Sequence, residues 1–239
     1  MTQPGLEYSG SELEIFQHAG TWKTYFSSFL AGFIGANVLE VGAGIGGTTK
    51  YMCAGQHDSW ICLEPDENLY RHLVTEISEG NLPACCEPRQ GTLADIPAAE
   101  KFDTILYVDV LEHIEDDRSE IERAAEKLVA GGRLIVLVPA HQWLFSPFDS
   151  AIGHYRRYNA RSLQSLTPAT LSPVRSRYLD ACGIMLSLAN RTIMRRSAPT
   201  QSNIDFWDRV VVPASRLVDP LLFYRVGKTV IQVWQKVDV

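Results

Sequence analysis

The stretch VLEVGAGIGGTTK, Val38 to Lys50, sets a short apolar run directly before four glycines in six residues. A strand that ends in such a turn and passes into a helix brings bare backbone N–H groups up to a ligand, an arrangement at home in parallel α/β sheets. The rest of the chain keeps the same alternation. Strands are expected at Val38 to Val41, Trp60 to Glu64, Thr104 to Val108, Arg133 to Pro139, Arg175 to Leu179 and Thr229 to Trp234, with a weaker one at Pro88 to Gln90. Helical patterns fall at Glu12 to Leu30, Thr48 to Cys53, Glu67 to Ser78 and Arg118 to Val129. The last runs into AGGR, where glycines can cap it. The expected fold class is α/β, a doubly wound, mostly parallel seven-stranded sheet covered by helices.

At 239 residues the chain is long enough for one large domain, so 1–239 is read as a single unit. The rhythm breaks at 182–226, which carries ANRTIMRR, a polar Ser/Pro/Thr/Gln segment and the aromatic DFWDRVVVPASRLVDPLLFY; this reads as a helical insertion or lid before the last strand. Its aromatic content fits an acceptor lid, a dimer surface or a peripheral membrane contact. A net charge of -6 argues against broad binding of nucleic acid. Five cysteines form no CxxC pair and the first residues lack a signal-peptide pattern, so a reducing cytoplasm is expected. No apolar run reaches the roughly 18 residues of a spanning helix.

Three ligand classes use a glycine turn of this kind. A phosphate-binding P-loop needs Lys and Ser/Thr directly after its last glycine, but Gly47 is followed by Thr48 and Thr49, with Lys50 too late. A dinucleotide fits GxGxxG literally at Gly42, Gly44 and Gly47, with Glu64 where a ribose-binding acid belongs, which would make the chain an NAD-dependent oxidoreductase. Glu40, two residues before Gly42, disfavours a pyrophosphate and suits a ligand that bears an ammonium and a sulfonium, namely S-adenosylmethionine.

In this the sequence resembles the class I S-adenosylmethionine-dependent methyltransferases, bacterial small-molecule type, whose first motif E/DxGxGxG corresponds to Glu40, Gly42, Gly44 and Gly46. Three further segments follow in the family's order. ICLEPDENLY sets Glu64 at the end of the second strand, with Asp66 two residues on, where the resemblance implies an acid on the ribose hydroxyls. GTLADIP resembles the segment over the adenine, but Thr92 stands where an Asp is common; adenine contact is then expected through Leu93 packing and local N–H groups, with the Thr92 hydroxyl as substitute. FDTILYVDVLEHIED resembles the fourth strand and its turn, which puts Asp109 and His113 toward the methyl-donor pocket. The resemblance implies a Rossmann-like methyltransferase fold, S-adenosyl-L-methionine as cofactor and methyl transfer to an oxygen, or less favourably a nitrogen, of a small-molecule or glycan-precursor acceptor. A non-catalytic binding module that kept the donor fold is the remaining alternative.

The acceptor should lie beyond the fifth strand, in VPAHQWLFSPFDSAIGHYRRYNARSL. An unactivated hydroxyl needs a base, and His141 and His154 titrate in the useful range; each can equally be a hydrogen-bonded structural histidine. Tyr155, Arg156, Arg157 and Tyr158 form an aromatic and cationic cluster suited to an anionic acceptor, or else a brace pairing with the acidic helix at Asp116 and Asp117. Trp22, Lys23 and Tyr25 belong to the helix entering the first strand, which the resemblance implies can close over the donor site; packing of an amphipathic helix is the favoured reading. No His/Asp/Glu set has a recognised ligand spacing, so no metal is expected.

Overall fold

The computed structural model describes residues 16–189 and 200–237. Seven strands form one sheet in the order β3-β2-β1-β4-β5-β7-β6. They are β1 (Asn37–Val41), β2 (Ser59–Glu64), β3 (Cys86–Gln90), β4 (Phe102–Val108), β5 (Leu128–Pro139), β6 (Leu171–Leu179) and β7 (Thr229–Lys236). The first five run parallel, and β7 runs antiparallel between β5 and β6. The strand order reverses between β1 and β4, which opens a crevice at their carboxyl ends.

In chain order the helices are α1 (Gly20–Leu30), α2 (Thr49–Met52), α3 (Glu67–Ser78), α4 (Asp117–Lys127), α5 (Pro147–Ala151), α6 (Ala160–Gln164), α7 (Ala181–Ala189), α8 (Gln201–Phe206) and α9 (Val212–Leu221). Successive side chains of a strand point to opposite faces, so each central strand feeds two cores. Leu39, Val41, Ile105 and Tyr107 pack with Ile121 and Ala124 of α4 on one side. Val38, Trp60, Cys62 and Leu106 pack with Trp22, Phe26 and Leu30 of α1 on the other. That double burial is why the central strands read as continuous apolar runs.

Several boundaries differ from expectation. The α4 helix ends at Lys127 and Leu128 is already extended, so AGGR does not cap it. Instead β5 begins at Leu128, and its register against β4 shifts between Phe102 and Thr104; a Cβ on Gly132 would lie 2.9 Å from the Val129 carbonyl oxygen, so the glycines serve a close backbone approach. A helix starts at Gly20, after a turn that follows the helical Phe16, and the part expected before Phe16 lies outside the described residues. β6 begins four residues earlier than expected because Pro173 obscures its pattern; as an edge strand it accommodates the proline at a register shift between Pro173 and Arg175.

The segment between β6 and β7 is bound to α1 by buried acids. Asp208 accepts from the backbone N–H of Thr21 and Trp22 at 3.1 and 2.8 Å. Asp219 accepts from the Tyr25 hydroxyl at 2.8 Å and from the N–H of Asp180 and Ala181. Trp22 and Tyr25 are buried, and Trp22 lies against Trp207. Leu217, Leu221 and Phe223 are at least 75% exposed on the outer side of this segment. Among the described residues no helix is long and apolar enough to cross a membrane.

Candidate active site

The glycine turn closes over the end of β2: the N–H groups of Gly42 and Ala43 donate to the Leu63 carbonyl at 2.8 and 3.0 Å. Gly42, Gly44 and Gly46 all have positive φ, where a side chain is strained. At Gly42 there is also no room, since a Cβ would lie 2.5 Å from Val110 Cγ2. That close approach draws the turn after β4 against the turn after β1.

Glu64 sits where these elements meet, 5% exposed. Its Oε2 accepts from the Gly44 N–H at 2.7 Å and its Oε1 from the Asp66 N–H at 2.9 Å. Burial raises its pKa, and the two N–H donors oppose the rise. Each oxygen keeps a second lone pair for a ligand hydroxyl. Asp66 caps α3, accepting from the N–H of Asn68 and Leu69.

Glu40 points from β1 to the α1 side of the sheet, 2% exposed. Its Oε2 accepts from the Thr49 hydroxyl at 2.7 Å and the Trp60 indole at 2.8 Å. Burial pushes its pKa up to about 7, against those hydrogen bonds and the charge of Lys23. It therefore acts on the turn through its charge, not as a wall of the cleft. Lys23, expected to pack, is buried with its ammonium donating to the Gln17 carbonyl at 3.2 Å. Burial lowers its pKa to about 8, while Asp109, Glu40 and Asp208 hold it up. A Cβ on Gly47 would come within 3.0 Å of its Nζ.

At the adenine segment, Thr92 is exposed and its hydroxyl and N–H both donate to Asp95 Oδ2 at 2.8 Å. Leu93 is 1% exposed and belongs to the core, so its packing surface is spent there and not on a ligand. A base would contact this segment through its backbone and the Thr92 side.

Asp109 follows β4 with φ 55, its N–H bonded to the Leu137 carbonyl at 2.8 Å. An aspartate in the left-handed region is uncommon and is held here by that bond. Its side chain is exposed to solvent, yet the crowding around it raises its pKa to about 6. Desolvation causes the rise; His154, Lys228, Lys23 and Arg157 oppose it. Beside it, Glu112 is completely buried, and burial pushes its pKa well up. His113 and His154 meet edge to face, ring centroids 4.5 Å apart, and burial drops His113 to about pKa 4.

The histidine, tyrosine and arginine cluster is divided between two tasks. His154 Nδ1 lies 3.0 Å from Asp149 Oδ1, which leaves Nε2 toward Glu112 at 3.9 Å. Arg157 grips the same Asp149 with Nε and Nη2 at 2.7 and 2.9 Å. Arg156 pairs with Asp117 at 2.8 Å and with the Glu115 carbonyl at 2.7 Å. Tyr158 is 2% exposed with its hydroxyl 2.8 Å from Asp117 Oδ2. Arg156, Arg157 and Tyr158 thus brace the loop, and Tyr155 is 51% exposed with the Arg156 guanidinium over its ring. His141 is also turned away from the cluster: its Nε2 lies 3.0 Å from the Gly227 carbonyl and its ring stacks on Tyr178 at 5.3 Å. Asp149 and Lys228 went unread in the sequence. SPFD was legible as a helix start, since Ser146 and Asp149 form a capping box, but nothing in it points to Arg157 or His154.

A doubly wound sheet with an acid and a glycine turn after β1, an acid after β2 and a further acid after β4 defines a nucleoside-binding enzyme of the methyltransferase class. A methyltransferase domain family matches residues 17–183, and the chain belongs to it; this sets the dinucleotide reading aside. Solved structures show the same fold across different chemistries. The N-methyltransferase NodS of Bradyrhizobium japonicum is 13% identical, with 93% of this chain and 97% of that chain covered and a TM-score of 0.57. The mitomycin 7-O-methyltransferase MmcR is 14% identical over 94% of this chain and 54% of that chain, TM-score 0.56. The [4+2]-cyclase SpnF is 15% identical over 98% and 85%, TM-score 0.62.

S-adenosylmethionine is the methyl donor, and the residues fit it. The left-handed glycines give its chain a bare backbone, Glu64 keeps lone pairs for hydroxyls, and Glu40 and Asp109 complement its cationic groups.

Proposed function

We propose that the enzyme methylates a hydroxyl oxygen of a small molecule or glycan precursor in the cytoplasm, with Glu64, the glycine turn, Thr92 and Lys23 holding the donor. The observation that carries the oxygen assignment is the pair of candidate bases, Asp109 after β4 and His154 in the 149–158 loop, whose charges are felt by one another. An amine attacks through a lone pair it already has, whereas a hydroxyl must lose a proton as it attacks. Asp109, with its pKa near 6, and the Nε2 of His154 are available for that proton. Of the two histidines expected as base, His154 is the one in the cluster.

When bound, S-adenosylmethionine supplies a methyl carbon already activated by its sulfonium. The chain's task is alignment and proton removal. Asp109 precedes Val110, which lies against the glycine turn, and the 149–158 loop is braced by Arg157 on Asp149 and Arg156 on Asp117, on the side proposed for the acceptor. The engaged guanidinium groups of Arg156 and Arg157 offer no support for an anionic acceptor, and the net charge of -6 does not favour nucleic acid.

Incubation with isotopically labelled donor and an extract of the producing cell, followed by mass identification, tests this reading. Label in a methyl ether of a small molecule is the expected result. Label in protein, nucleic acid or an N-methyl group would overturn the acceptor assignment.

A further inference from the structure

Glu112 presents an unusual buried group: it is 0% exposed, and neither carboxylate oxygen has a hydrogen-bond partner among the described residues. A buried carboxylate without a donor is costly, and a cation is the partner that resolves it. Two imidazoles stand next to it. One ligand atom each from Glu112, His113 and His154 lies within 4.8 Å of the others, and His154 Nε2 is 3.9 Å from Glu112 Oε1. Ligands on one transition-metal ion, each about 2.1 Å from it, lie up to about 4 Å apart, so the set needs to close by less than about 1 Å.

The surroundings are those of metal ligands. A ligating histidine nearly always gives its other ring N–H to a carboxylate or a backbone carbonyl, which fixes the tautomer. His154 has Asp149 at Nδ1, and His113 is hydrogen-bonded to the Gly153 backbone. The loop that carries His154 is fastened directly to the loop that carries Glu112, because the Tyr155 N–H donates to the Glu112 carbonyl at 2.8 Å. Arg157 in turn fixes Asp149.

We infer that Glu112, His113 and His154 bind one divalent first-row transition-metal cation at the acceptor side of the cleft. Two imidazoles and a carboxylate suit zinc, manganese, iron or cobalt better than magnesium, and leave positions open for a substrate oxygen. This deepens the reading of the enzyme as an oxygen methyltransferase and rests on it for its role. The ion lowers the pKa of an acceptor hydroxyl that reaches it, the O–H proton passes to the Asp109 carboxylate, and the C–O bond forms as the C–S bond of the donor breaks. His154 then serves as a ligand, and proton removal falls to Asp109. The sequence gives no sign of such a site, because its ligands are split between positions 112–113 and 154, a spacing that belongs to no sequence motif.

Protein stripped with a chelator is titrated with Co2+, whose visible spectrum reports its ligands. One Co2+ per chain with a nitrogen and oxygen spectrum is expected, with affinity reduced on the order of a hundredfold or more in both Glu112→Gln and His154→Asn. Glu112→Gln is isosteric and removes a buried charge, so its fold should survive; circular dichroism checks this, and His154→Asn repeats the test from the other loop. Cys53, Cys85 and Cys86 form a second close set, with 3.4 Å between the Cys53 and Cys85 sulfurs. Thiolate absorption that disappears in Cys53→Ser would place the ion there and overturn the inference, as would absence of binding. Calorimetric titration of the stripped protein with S-adenosylmethionine keeps the two readings apart. Donor binding without cation binding sinks the metal site alone, and cation binding without donor binding sinks the methyltransferase reading.

Discussion

The Gly44 N–H donates to Glu64 Oε2 at 2.7 Å, which ties the turn after β1 to the carboxyl end of β2. The same carboxylate therefore shapes the glycine turn and, in the proposed pocket, would face the donor's sugar. Glu64→Ala should weaken S-adenosylmethionine binding by about 1 to 3 kcal/mol, the scale of lost hydrogen bonds to a charged group. Gly44→Val should be worse, because a β-branched residue is strained at its φ of 57. Calorimetry measures both, and parental affinity in the two variants would put the pocket elsewhere.

Arg157 and Asp149 form a two-pronged pair with side chains 11% and 1% exposed. Removing the guanidinium leaves a buried carboxylate short of its main counter-charge, which costs about 3 kcal/mol or more. Arg157→Gln should therefore lower stability to urea and lower kcat, with donor affinity unchanged. Arg156, 31% exposed against Asp117, should cost about 1 kcal/mol or less on the same measurement. A rise in acceptor KM alone, without loss of stability, would return these residues to acceptor binding.

The central sheet was legible because Val38–Val41, Trp60–Glu64 and Thr104–Val108 are buried on both faces and read as apolar runs, and because glycines mark the turn after β1, where Gly42, Gly44 and Gly46 take left-handed backbone. The donor-side residues were proposed from their places at strand ends. What sequence could not show is which distant charges meet. Asp208 caps α1 from 186 and 187 positions away, and Asp149 serves His154 and Arg157 from within an unremarkable helix start. Arginines in HYRRY look alike on paper whether they reach for a ligand or for Asp117 and Asp149. Only the fold decides between those partners.

Glu40 makes stability depend on pH. Its pKa rises from 4.5 to about 7 on burial, so between those values the folded chain holds more protons than the unfolded chain and stability falls as pH rises. Glu40→Gln keeps an oxygen for Thr49 and Trp60 and cannot ionise. The variant should gain on the parent by about 3 kcal/mol between pH 5 and 8, read as the difference between two urea titration series. A pH-independent difference would mean that Glu40 stays charged throughout.

Lys23 is proposed to hold the amino-acid end of the donor. Its ammonium lies against Gly47, within reach of the charges of Glu40 and Asp109. If it faces the donor's carboxylate, its loss hurts the charged donor and the demethylated product alike, because both carry that carboxylate. If it only occupies the acids in place of a sulfonium, its loss helps the donor and leaves the neutral thioether nearly unchanged. The first arrangement is expected, since the donor's own ammonium balances the acids while its carboxylate needs a cation. Lys23→Met should weaken both ligands equally, by about tenfold, the scale of one charge-assisted hydrogen bond. The loss should match that of the parent as pH rises past about 8, where Lys23 itself gives up its charge. Tighter donor binding in the variant, with the product unaffected, would assign Lys23 to the acids instead.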